Sequence, residues 1–284
     1  MSRTLNADLH CHSVVSDGTL TPEELAARAK ANGVQLWALT DHDEVGGQDR
    51  AITAAQSHSM RYLTGTEISV TFAGVTVHIV GLGFDHHNER LVAGLKGTRG
   101  GREARAREMA EELAKVGIPG AFEGALKYVD NMELISRTHF ARYIVEAGHC
   151  SDTNEVFRKY LADGKPGFVP HRWAKLSDAL DWIHGAGGLA VIAHPARYSF
   201  TANEEYALFT EFKALGGAGV EVQTSAHNAS EVVKYAEFCR EFDLYASRGC
   251  DFHSPEESRC DLGSLPELPA KVTPIWERLE DKMH

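Results

Sequence analysis

Apolar and polar positions along this chain fall into blocks of two kinds. The first is a short apolar run that stops abruptly at polar residues, as in "DLHCHS", "VQLWALTDHD", "RYLTGTEIS", "VTVHIVGLG", "LAVIAHPARY", "AGVEVQTSAHN" and "LYASRGCDFHS". The second carries apolar residues at helical spacing over longer stretches, as in "LSDALDWIHGAGG", "EEYALFTEFKALGG" and "SEVVKYAEFCREFD". Runs too short for a helix are predicted strands, and the longer blocks are predicted helices. Their alternation predicts a parallel sheet with crossover helices, and so many units predict that it closes or nearly closes. A barrel-like α/β fold is expected.

Helix boundaries are written locally. Thr21, Pro22 and Glu24 predict an N-cap, a first helical proline and a capping box, with Gly33 as the stop. A second helix is expected from Asp49 to Ser59, followed by a strand ending at Glu67 and another carrying His78. Residues from about 100 to 165 break the rhythm with successive helical pieces and no clear strand. There Met109, Leu113 and Val116 are expected to share an apolar face, while Arg102, Arg105 and Arg107 form a solvated one paired with Glu103, Glu108 and Glu111. The expected organisation is a barrel in two parts, 1–99 and 166–284, with a helical insertion at 100–165 covering one mouth.

Composition narrows the class. At 284 residues and 43% hydrophobic content the chain suits one large soluble domain. Its apolar runs fall far short of the roughly 20 residues of a membrane span, and "MSRTLNADLH" has no signal-peptide core, so a cytoplasmic address and no membrane partner are expected. Five cysteines without a C-x-x-C pair suggest reduced thiols rather than a disulfide framework or a zinc knuckle. A formal charge of -11 argues against a large basic face for long nucleic acid.

The chemistry stands at the strand exits. His10, His12, Asp17, His42, Glu67, His78, His194, Asp251 and His253 would converge if the loops leaving a parallel barrel share one mouth. In "DLHCHS" a strand's alternation puts His10 and His12 on one side and Cys11 on the other, and "CDFHS" repeats the device with Asp251 and His253. All nine donors are imidazole or carboxylate, which favours Mn²⁺, Zn²⁺ or Fe²⁺. Nine are too many for one ion, so two or three divalent ions are expected, and the net positive pocket they create suits a phosphate ester. Arg137, His139, Lys165, His171 and Arg197 are candidate phosphate-binding residues, and Asp43 a candidate for holding a ligand imidazole in place. His86 and His87 lie in a loop after the His78 strand, His58, His149 and His284 have no motif company, and all five are left unassigned.

The order "HCHSVVSDG", "LTDHD", "GTEIS", "HIVGLG", "AHP" and "DFH" resembles the PHP (polymerase and histidinol phosphatase) family. The resemblance implies a distorted seven-stranded (β/α) barrel with a trinuclear site, Mn²⁺ foremost. By carry-over one ion would take His10, His12, Glu67 and Asp251, a second Glu67, His78 and His194, and a third Asp17, His42 and His253. Many relatives have histidine where this chain has Asp17. Within the family the chain is similar to stand-alone phosphoesterases acting on nucleoside 3',5'-bisphosphates, some of which also trim short RNA from the 5' end. The implied reaction is in-line attack on phosphorus by a hydroxide shared between ions, with Arg137 or Arg197 stabilising the developing charge. A small nucleotide or a short RNA end is the expected partner. The rival readings are a histidinol-phosphate phosphatase, a non-catalytic metal-binding module and a metal-dependent amidohydrolase.

Overall fold

The computed structural model describes residues 5–284; residues 1–4, where the N-terminal reading and the first barrel segment begin, lie outside the described residues. The strands are β1 (Ala7–Asp8), β2 (Leu36–Leu39), β3 (Arg61–Phe72), β4 (Val75–Leu82), β5 (Leu189–Ile192), β6 (Gly219–Gln223) and β7 (Tyr245–Arg248), in chain order in one sheet. Backbone hydrogen bonds close the circle beyond the first and last strands: Leu9 N–H donates to Arg248 O at 3.0 Å, Asp251 N–H to His10 O at 2.8 Å, and His12 N–H to Phe252 O at 2.8 Å. The fold is an α/β barrel with seven strands.

Alternate residues of the strands divide between two environments. Leu36, Ala38, Leu63, Val80, Leu82, Val191 and Ala193 gather inside the barrel with Ile275 and Trp276. Val77, Ile79, Ala190, Ile192, Val220 and Val222 pack beneath the helices instead. The outer layer comprises α1 (Pro22–Ala31), α2 (Gln48–Ser57), α3 (Glu89–Arg99), α8 (Leu176–Gly185), α9 (Ala202–Ala214) and α10 (Ala229–Glu241). The capping box of Thr21 and Glu24 opens α1, and Gly33 stops it at φ 79°.

The sheet departs from the all-parallel expectation. β4 runs antiparallel to both β3 and β5, and β3 continues five residues past Glu67 to Phe72. The cause is a two-residue turn, Ala73-Gly74, with φ of 48° and 81°, the geometry of a tight hairpin. Glu67 and His78 therefore sit within strands rather than at their exits. Register puts Ser69 opposite His78 and Glu67 opposite Val80, so Glu67 and His78 project from one face as diagonal neighbours.

Between β4 and β5 no strand interrupts the helices. There α4 (Arg102–Lys115), α5 (Ala121–Leu126), α6 (Arg137–Glu146) and the short α7 (Thr153–Val156) form a cluster of their own around Met109, Leu113, Phe122, Phe140, Ile144 and Leu161. Val116 does not join it: it caps the end of α4 and is 42% exposed. The buried stripe of α4 is Arg102, Ala106, Met109 and Leu113, spaced as one helical face, so Arg102 turns inward with the apolar residues.

Candidate metal centre

Glu67 lies at the middle of the polar end of the barrel. Its Oε1 is 2.8 Å from His78 Nδ1 and 2.9 Å from His194 Nε2. Its Oε2 is 2.9 Å from His42 Nδ1, 3.2 Å from His12 Nε2 and 3.3 Å from His10 Nε2. Asp251 Oδ1 stands 3.1 Å from His12 Nε2 and 3.6 Å from His253 Nδ1, and Asp17 Oδ1 stands 3.4 Å from His253 Nε2 and 3.8 Å from His42 Nε2. All nine donors expected from the sequence meet here. They fall into three overlapping sets of mutually close donor atoms: His10, His12, Glu67 and Asp251; His42, Glu67 and His78; and His12, Asp17, His42 and His253. His42 joins Glu67 and His78 in the second set, His12 adds to the third, and His194, expected beside Glu67 and His78, meets the same Glu67 Oε1 as His78.

The arrangement fits divalent cations on its own chemistry. Asp17 Oδ1, His12 Nδ1 and His194 Nδ1 are buried with no hydrogen-bond partner, and Glu67 Oε2 and His42 Nδ1, though 2.9 Å apart, make no aligned hydrogen bond. Five imidazoles crowd one carboxylate whose side chain is wholly buried, and no arrangement of ring protons serves every contact without burying several positive charges. Cations between the lone pairs resolve the conflict. The rings are pulled in opposite directions: burial disfavours charge on both His12 and His194, but Asp251 and Glu67 overcome it at His12 and raise its pKa to about 10, whereas at His194 burial and the Arg197 guanidinium lower it to about 4.

Local structure supplies the aim. A Cβ at position 249 would run into the Cβ of His10, so "RGCDFH" needs glycine where the two strand exits cross. His194 (φ 27°) and Asp251 (φ 56°) hold left-handed backbone, a conformation kept for the direction it gives the side chain. Cys11 points away and receives the Trp37 indole N–H at 3.2 Å. Phe252, between Asp251 and His253, is buried in the same outer cluster as Cys11.

A model of the PHP domain family matches residues 8–225. The chain belongs to the PHP domain family. The 3',5'-nucleoside bisphosphate phosphatase of Chromobacterium violaceum is 49% identical over 278 residues, covering 98% of this chain and 98% of the relative. The 5'-3' exoribonuclease of Haemophilus influenzae is 42% identical, covering 97% of this chain and 99% of the relative. A solved Chromobacterium violaceum structure, described as an amidohydrolase with bound sulfate and no metal, superposes with a TM-score of 0.95 at 49% identity, covering 98% of this chain and 97% of that one. This PHP protein is a phosphoric ester hydrolase, and its donors are those of a metal-dependent one.

The PHP centre forms the floor of a cavity of about 490 Å³, within the range of small-molecule sites. Of the substrate candidates, Arg137 and Arg197 line it. Arg197, 46% exposed, reaches Asp251 Oδ2 at 2.6 Å. Lys165 is exposed and outside the lining, and His171 packs edge-on against Trp173 at 4.3 Å. Asp43 holds no imidazole: it accepts from Ser69 N–H at 2.7 Å and Ser69 Oγ at 3.0 Å and pairs with Arg102. His139 is buried, its Nδ1 accepting Ser136 N–H at 3.0 Å in the capping box that starts α6.

Burial lowers the His139 pKa from 6.5 to about 4. Between those values the unfolded chain takes up a proton that the folded chain refuses, so stability falls as pH drops through this window, by about 3 kcal/mol in full. His139→Gln keeps an acceptor for the cap and removes the titration. Thermal melts of metal-loaded protein between pH 7 and 4 are expected to give a shallower decline for the variant; parallel curves would contradict this.

Four contributors escaped the sequence reading. Glu221 accepts from His10 Nδ1 at 2.8 Å and from His194 N–H at 2.7 Å, fixing one ligand's ring and another's backbone. Its signal was a carboxylate inside the apolar strand "GVEVQ". Ser136, at the start of α6, donates to Asp17 Oδ2 at 2.9 Å, and no local pattern announces a contact across 119 positions. Arg102 and Arg105 line the cavity where a solvated face was expected; Arg107 alone of the three pairs outward, with Glu103 at 2.7 Å.

Proposed function

We propose that this PHP protein removes the 3'-phosphate of nucleoside 3',5'-bisphosphates such as pAp, and also trims short 5'-phosphorylated RNA from the 5' end. One observation carries the reading: a cationic wall of Arg102, Arg105 and Arg137 shares the cavity with the metal ligands. Burial, together with its neighbours Arg137 and Arg102, lowers the Arg105 pKa to about 9, so the wall favours an anion even though Arg102 pairs with Asp43. A substrate with two phosphates satisfies both ends, one at the ligand cluster and one at the wall. The names of the relatives from Chromobacterium violaceum and Haemophilus influenzae support the same substrate class.

In this reading two or three divalent ions, Mn²⁺ foremost, are held by the nine donors. When bound they supply Lewis acidity and lower the pKa of water. The chain's own residues do the rest. Glu221 and Asp251 orient His10 and His12, and Arg197 stands beside Asp251 where its planar fork can meet equatorial phosphate oxygens. Arg137 fixes the remote phosphate, so that binding energy far from the reacting ester positions it. Asp43 keeps Arg102 on the wall.

A histidinol-phosphate phosphatase would offer a carboxylate to the substrate's amine. Among the described residues, the one lining carboxylate outside the ligand set, Glu257, is committed to Arg142 at 2.8 Å. Phosphate release by Mn²⁺-loaded protein is the test, over pAp, 3'-AMP, 5'-AMP, histidinol phosphate and a 5'-phosphorylated oligoribonucleotide. The expected result is pAp far ahead of 3'-AMP and no release from histidinol phosphate. Equal rates on pAp and 3'-AMP would refute the two-phosphate reading.

A further inference from the structure

Outside the barrel, the two unassigned histidines of the loop after β4 meet an aspartate. His86 Nε2 lies 2.8 Å from Asp49 Oδ1, His87 Nε2 lies 3.8 Å from the same oxygen, and the two rings are 4.0 Å apart. One donor atom from each residue falls within 4.8 Å of the other two. None of the three lines the catalytic cavity. We propose that Asp49, His86 and His87 form a separate zinc site on the outer surface, clamping the β4–α3 loop to the first turn of α2.

The chemistry is two imidazoles and one carboxylate, a donor set suited to Zn²⁺. Tetrahedral bonds of about 2.0–2.2 Å put donors on a shared ion about 3.3–3.6 Å apart, so the Asp49–His86 pair opens slightly from 2.8 Å and the His87 side chain, 72% exposed, rotates inward from 3.8 Å. The backbone is already set. Asp85 N–H donates to Ala186 O at 2.9 Å, Asn88 N–H to Asp85 O at 3.1 Å, and the Asn88 side chain caps α3 while donating to Gly185 O at 3.3 Å. His86 is only 13% exposed and so is held in place, whereas Asp49 is 74% exposed and open to an incoming ion. The Asp85 side chain accepts His87 N–H at 2.9 Å and adds a second negative charge beside the site. Together the two carboxylates offset the positive end of α2, which would otherwise repel a cation.

An ordinary ion pair between Asp49 and His86 is the competing account, and stoichiometry separates the two. Equilibrium dialysis of the whole chain against Zn²⁺, with bound metal counted by elemental analysis, is expected to give one equivalent fewer for Asp49→Asn and for His87→Ala than for the parent. Neither variant touches the catalytic cavity, so release of phosphate from pAp by Mn²⁺-loaded protein is expected to stay within twofold and to report correct folding. Carbethoxylation by diethyl pyrocarbonate, mapped by mass spectrometry, gives a residue-level reading: Zn²⁺ is expected to slow modification of His87 at least tenfold. Unchanged stoichiometry in both variants, or equal reactivity of His87 with and without Zn²⁺, would overturn the proposal.

Discussion

Glu67→Gln is expected to lower turnover of pAp by at least about a thousandfold, equivalent to about 4 kcal/mol of transition-state stabilisation. No other side chain touches as many of the others: both carboxylate oxygens face imidazole nitrogens, from His78 and His194 on one side and from His10, His12 and His42 on the other. Glutamine keeps the shape but loses the charge, and its amide N–H group would point at ring nitrogens that need their lone pairs for metal. A carboxylate can bridge two ions and an amide cannot do so equally well, so metal bound per chain is expected to fall together with activity. Turnover on pAp and elemental analysis of the same preparation check both parts. A glutamine variant within tenfold of the parent would remove Glu67 from the centre of the account.

Arg137→Ala carries the second large effect, and a more selective one. Among the described residues Arg137 makes no ion pair; its Nη1 donates to Leu161 O at 3.2 Å, while burial and the Arg102 charge lower its pKa against the smaller opposing effect of Asp163. A half-buried guanidinium with no ion-pair partner is poised for a phosphate. Removing it is expected to reduce kcat/KM for pAp about a hundredfold, within the range for truncating one member of a buried charge pair, and to leave 3'-AMP nearly unchanged. Equal losses on both substrates would mean that Arg137 supports the fold of the wall rather than the remote phosphate.

Much of the centre was legible because its signals are local. Residues two apart at a strand end share a side, and "HCH" and "DFH" both obey that rule around buried Cys11 and Phe252. Thr21, Pro22 and Glu24 write the start of α1 within four positions. What the sequence concealed depends on partners far apart in the chain. The antiparallel β4 follows from Ala73-Gly74, whose alanine gives little warning of a left-handed turn, so two hairpin strands read as separate parallel units. Arg102 looked solvated because charge outweighs helical phase when a segment is scanned by composition. Its place on the stripe of Ala106, Met109 and Leu113 shows that phase decided the outcome. Glu221 and Ser136 act by touching ligands 211 and 119 positions away, distances over which no spacing rule operates.

The central claim is that folding gathers scattered imidazoles and carboxylates into one basin that works only when loaded with several cations. Exhaustive dialysis of the protein against a chelator, followed by stepwise return of Mn²⁺ with phosphate release from pAp measured at each step, tests it most directly. The account predicts no turnover in the stripped protein and recovery that requires more than one equivalent of metal per chain. Full turnover by the stripped protein would contradict it.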